Sequence, residues 1–159
     1  MLIKSPFTEK IDKKIIKWMS RYGISLLRIS MGIVFFWFGF LKFFPGISPA
    51  EGIAVKTINI ITFELFSPRT ILIILAIWES VIGIGLILGF YMREVLLLLF
   101  LQMIGTFTPL FFFPAEAFTE IPYGPTLEGQ YIIKNIVIVA GAIVIGATVR
   151  GGNLNSNLN

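Results

Sequence analysis

Six strongly polar side chains stand inside stretches that are otherwise apolar: Arg28, Lys42, Glu79, Gln102, Lys134 and Asn135. An ionisable group at membrane depth costs several kcal/mol even on lenient insertion scales, so each of these positions needs a reason. A buried glutamate can be tuned to pass a proton, and a lysine beside it can hydrogen-bond a carbonyl oxygen or hold an anion. Glu79, Lys134 and Lys42 are therefore the candidate catalytic groups. Arg28, Gln102, Thr106 and Asn135 are candidate ligand-binding groups, with Trp37 and Trp78 as apolar walls.

Helical spacing gathers these misfits into stripes. Arg28, Gly32, Phe35, Gly39 and Lys42 follow one face, Glu79 and Gly83 share another, and Gln102, Thr106 and Pro109 recur at helical steps. In the last stretch Lys134 aligns with Gly141, while Asn135 aligns with Ala142 and Gly146. Small residues on such stripes allow membrane helices to approach closely, which makes Gly32, Gly39, Gly83, Gly85, Gly89 and Gly141 the candidate packing positions. Gly85 and Gly89 form a GxxxG that suits an internal contact or a homo-oligomer. At about 1.5 Å per residue, Glu79 lies roughly 12 Å inside its helix and Lys134 about 5 Å inside its own. Two pairings follow: Glu79 with Lys134 or Lys42, and Arg28 with Gln102. Read functionally, the cluster lines an outward-opening pocket with excess positive charge; read structurally, it only fixes helix register.

The elements that hold these residues are four apolar stretches, about 22–44, 71–91, 95–113 and 131–149. A span needs about 20 such residues, so the expected fold is an all-α integral membrane four-helix bundle. Residues 1–21 form a basic cytoplasmic or interfacial N-terminus, in which Ser5-Pro6 can open a short separate helix. Ser48-Pro49-Ala50-Glu51 reads as a capping box and predicts an interfacial helix over about 49–62, roofing the bundle. The connector from Pro114 to Gly129 is rich in Pro, Gly and Glu and predicts an ordered loop with at most one helical turn. Residues 151–159 read as a flexible tail.

Composition narrows the chemistry further. With 56% hydrophobic and 14% charged residues, a soluble domain is excluded. The absence of Cys and His removes thiol intermediates, Cys or His zinc sites, Fe–S ligation and histidine-held haem. No metal site is expected, and redox chemistry requires a bound organic cofactor or a partner's centre. The net charge of +4 does not point to nucleic acid. Lys4, Lys10, Lys13, Lys14, Lys17 and Arg21 precede the first span, Arg93 lies in the second connector and Arg150 follows the last span. Positive-inside counting places both termini in the cytoplasm, consistent with four crossings.

Arg28-x-Ser30-x-Gly32, Gly39-x-Leu41-Lys42-Phe43, Glu79-x-x-x-Gly83-x-Gly85-Leu86-x-x-Gly89, Arg93 and Met103 together resemble the DoxX-like family of small four-helix membrane proteins. Leu127-Glu128-Gly129-Gln130, Lys134-Asn135 and Thr148-Val149-Arg150-Gly151-Gly152 look like that family's final span and tail. The family includes the large membrane subunit of a thiosulfate:quinone oxidoreductase. The resemblance implies a redox-accessory subunit of the cytoplasmic (inner) membrane, with an outward-facing polar pocket for a quinone or a small anion, and a soluble or membrane redox partner alongside membrane lipid. Two other functions stay open: a scaffold whose polar groups only pair the helices, and binding or transport of a small anion or lipid.

Overall fold

The computed structural model describes residues 6–48, 51–152 and 154. Four of its helical segments are long and apolar enough to cross a membrane: Glu9–Leu41, Pro68–Leu88, Met92–Phe112 and Leu127–Gly146. They form an all-α four-helix membrane bundle. Large apolar side chains from all four segments face outward, among them Ile33, Ile77, Leu97, Ile104 and Ile143. That is the surface a helix bundle presents to lipid.

Helix α1 (Pro6–Leu41) is one uninterrupted helix of 36 residues, not an interfacial piece followed by a separate span. No proline lies between Pro6 and Leu41, and Gly23 sits in open space, so nothing breaks the helix where the sequence turns from basic to apolar. At the other end, i→i−3 bonds from Lys42, Phe43 and Phe44 tighten the last turn, and Gly46 (φ +78°) reverses the chain. Helix α2 (Glu51–Ile61) follows. Of the expected capping box, Pro49 and Ala50 lie outside the described residues. Glu51 uses its carboxylate on the Gly46 amide instead, at 2.8 Å.

Helix α3 (Pro68–Leu88) starts with Ser67 accepting from the Thr70 amide and Pro68 in the first turn. It ends on Gly89 in the left-handed region, which an L side chain adopts only with strain. Helix α4 (Met92–Phe107) runs back antiparallel and is continued, across a kink at Thr108-Pro109, by the single turn α5 (Pro109–Phe112). Proline cannot donate the bond that would continue the helix there.

The third connector is more structured than its composition suggests. It holds a one-turn helix α6 (Pro114–Ala117) and a two-stranded antiparallel ribbon, β1 (Phe118–Glu120) with β2 (Gly124–Pro125). The fourth span begins earlier than expected, with α7 (Leu127–Ile133) capped by Thr126, and passes through Lys134 into α8 (Asn135–Gly146). Gly129 is required because a Cβ there would collide with the Ala117 carbonyl oxygen. A short 3-10 turn at Val149–Gly151 follows, and the tail beyond Gly152, Leu154 apart, lies outside the described residues.

The tightest seam is between α1 and α3. A Cβ on Gly32 would stand 2.9 Å from the Gly83 carbonyl oxygen, and one on Gly39 2.8 Å from the Glu79 Cβ. Gly83 meets the Phe36 backbone, Gly85 meets Val95 of α4, and Gly141 of α8 lies under Met31. The hydrophobic core fills the half of the bundle nearest the termini, with Met31, Ile82, Leu86, Leu96, Leu99, Ala142 and Ile145 buried against one another.

Candidate functional site

Above that core, toward the loop end, the helices part around a cavity of about 610 Å³. Ligand sites are commonly clefts of about 300–1,000 Å³ with mostly apolar walls and a few placed polar groups. Phe35, Phe38, Met103 and Ile138 contribute apolar wall, and Ile53, Thr57 and Ile58 of α2 roof it. Its polar residues are Lys42, Glu79, Gln102, Thr106, Tyr131, Lys134 and Asn135, so all four spans contribute.

The centre of the polar set is a three-residue cluster. Lys42 Nζ donates to Glu79 Oε2 at 2.5 Å, and Gln102 Nε2 donates to Glu79 Oε1 at 2.8 Å. Both charged residues are buried, at 8% and 9% exposure. The cluster follows from helix geometry: Lys42 sits one residue past the last full turn of α1, where its ammonium also reaches the Phe38 carbonyl at 3.4 Å. A cation is favoured there, because helix C-termini carry unpaired carbonyls and partial negative charge. Gly39, three residues earlier, lets α3 approach closely enough for the lysine stem to reach Glu79. An ammonium has three donors, and two are used by Glu79 and Phe38, leaving one for a ligand.

Other polar groups are satisfied within their own helices and offer acceptors. Thr106 Oγ1 donates to the Gln102 carbonyl at 2.9 Å, and Asn135 Nδ2 donates to the Tyr131 carbonyl at 2.9 Å. Lys134 is exposed, with its ammonium over the Tyr131 ring at 3.6 Å from the centroid. Cation–π contact of this kind contributes roughly 0.5–2 kcal/mol.

Several expectations change. Glu79 pairs with Lys42 and not with Lys134, because the tight α1–α3 seam brings the Lys42 stem to it first. Arg28 and Gln102 do not meet. The Arg28 guanidinium caps the end of α3, donating to the Leu86 and Ile87 carbonyls (3.0 Å for the latter), and lies against Gly89. Gly89 is thus a helix terminator next to Arg28, not a packing glycine. Trp37 is 63% exposed on the lipid side, and Trp78 Nε1 donates to the Leu98 carbonyl at 3.2 Å. Neither lines the cavity, and the aromatic walls are Phe35, Phe38 and Tyr131. With Lys42 neutralised, the cavity's excess positive charge resides in Lys134 alone. Toward the termini the described residues Met31, Leu86, Leu99 and Ile145 fill the bundle with buried apolar side chains.

Tyr131 is the site residue that helical spacing offered and the motif reading passed over, four positions before Asn135 and beside the lysine stripe. Thr57 and Ser48 had no such signal, since their place depends on how α2 folds back.

A family model described as DoxX matches residues 23–114, more than half of the chain. The chain belongs to the DoxX family. The matched segment carries Arg28, Lys42, Glu79 and Gln102, so the buried cluster lies wholly within the DoxX region. Lys134, Asn135 and the fourth span lie beyond it. Comparison with curated proteins and with solved structures returned no match.

Proposed function

We propose that this DoxX protein is a redox-accessory subunit of the cytoplasmic membrane that binds a quinone in the cavity at the loop end. The carrying observation is the buried Lys42–Glu79–Gln102 cluster at one end of a mostly apolar cavity between the spans. A quinone ring suits the apolar walls, and its carbonyl oxygen accepts from the remaining Lys42 donor. Electrons come from a soluble or membrane partner, since the chain has neither Cys nor His to ligate a centre. As electrons from that partner place charge on that oxygen, the Lys42 ammonium stabilises it and gives it a proton, and Glu79 relays a proton from the outer side back to Lys42. The termini end, rich in Lys and Arg, faces the cytoplasm by the positive-inside rule, and the cavity then opens toward the outer half of the membrane.

A second reading has a specific observation in its favour. Both Glu79 oxygens already have protein donors, as a scaffold that uses the cluster only to fix helix register would require. Purification in native lipid followed by mass spectrometry of bound small molecules separates the two. Wild-type protein should carry quinone, and the double variant Lys42→Met/Glu79→Gln should fold without it. A wild type that carries none and takes up none when supplied favours the scaffold and overturns the quinone reading.

A further inference from the structure

The seam between α1 and the fourth span (α7 and α8) is pinned at two levels. Toward the termini, Gly141 lies against Met31, where an added Cβ would be 2.8 Å from the Met31 sulfur. Toward the loop end, the Phe38 and Tyr131 rings meet edge to face at 6.4 Å between centroids. Between Met31 and Phe38 the helix rises about 10 Å, roughly two turns. Across this interval both Val34 (42% exposed) and Val137 (72% exposed) line the cavity while also facing outward. The cavity therefore reaches the lipid-facing surface through a gap at membrane depth.

We infer that this gap is a side window, and that the ligand is an amphiphile dissolved in the bilayer whose polar head rests near Lys42 while its apolar tail leaves between α1 and α8. The inference rests on the quinone-binding reading and specifies the ligand as one with a long hydrocarbon tail. The threshold is apolar at Val34, Phe35, Val137 and Ile138, with the exposed Lys134 one helical turn away as the cation nearest to it. A free hydrophilic anion would lose most of its hydration on such a lip, whereas a polyprenyl or acyl chain exchanges one apolar surrounding for another. Across the cavity from the window stand Gln102 and Thr106 of α4, so a bound molecule is polar at its inner end and apolar at its outer one.

The test uses Val34→Trp and Val137→Trp, both at outward-facing positions where the added ring can fill the window without entering the helix seam. Equilibrium binding to protein in phosphatidylcholine nanodiscs is measured with two probes, a benzoquinone bearing a long polyprenyl tail and its tail-free analogue. Both variants should lose at least about tenfold more affinity for the tailed quinone than for the tail-free analogue. Unchanged affinity for the tailed quinone, or equal loss of both probes, overturns the window. A wild type that binds neither probe overturns the quinone reading itself, a result distinct from failure of the window alone.

Discussion

The two halves of this bundle are built from the same four spans and solve opposite problems. Near the termini, glycines and interlocking Leu, Ile and Met side chains fill the interior, and the Arg28 guanidinium is spent on the end of α3. Near the loops, the same helices diverge, a charged pair is buried, and space is left open. The difference teaches that a buried charge in a membrane helix is not by itself a site. Arg28 and Lys42 share a stripe of α1, yet one meets backbone carbonyls where the interior is full and the other meets a carboxylate where it is not.

The contrast can be broken most severely at the seam that both halves share. Gly83→Leu drives a side chain into the Phe36 backbone, and the expected result is no folded bundle, read as loss of a monodisperse species in detergent. Next in size is Lys42→Met alone, which leaves Glu79 buried without its cation and should cost about 3–5 kcal/mol in denaturant unfolding. Adding Glu79→Gln should recover most of that stability while leaving quinone uptake abolished. A core truncation in the other half, Leu99→Ala, should cost about 3 kcal/mol and spare quinone uptake, reversing the pattern. The smallest effect belongs to Lys56→Ala at the roof. Its exposed pair with Glu116, at 2.8 Å, is of a kind that contributes about 0–1 kcal/mol, and the thermal midpoint should hardly move.

Much of this was legible in the sequence, for physical reasons that also mark where legibility ends. Apolar length located four spans, because the bilayer sets that length, although the last three begin three or four residues nearer the N-terminus than hydropathy places them, and the first begins thirteen nearer. Caps explain the shift in the second and fourth, where Ser67-Pro68 and Thr126 start helices before the hydropathy rises. The stripe of Arg28, Gly32, Gly39 and Lys42 was visible because helical periodicity is local. Partners were not visible, since Glu79 choosing Lys42 over Lys134 depends on how closely α1 and α3 approach, which the glycines permit but do not rank. The ribbon of β1 and β2 escaped for a similar reason, as a connector full of Pro and Gly carries no periodicity. Helix α1 shows the converse, in which a change from basic to apolar composition suggests a break that the backbone does not make.

Arg28 and Lys42 act on α3 from opposite ends, one gripping its last carbonyls and the other its mid-membrane carboxylate. Between them they work as a caliper: sliding α1 along α3 by even one helical pitch would have to release both jaws at once. The pair is thereby a single stiff plate, and whatever breathing admits a guest falls to the fourth span, which Gly141 and the Tyr131 ring edge hold to α1 far more lightly. Amide exchange should accordingly be slowest along α3 and fastest along α8.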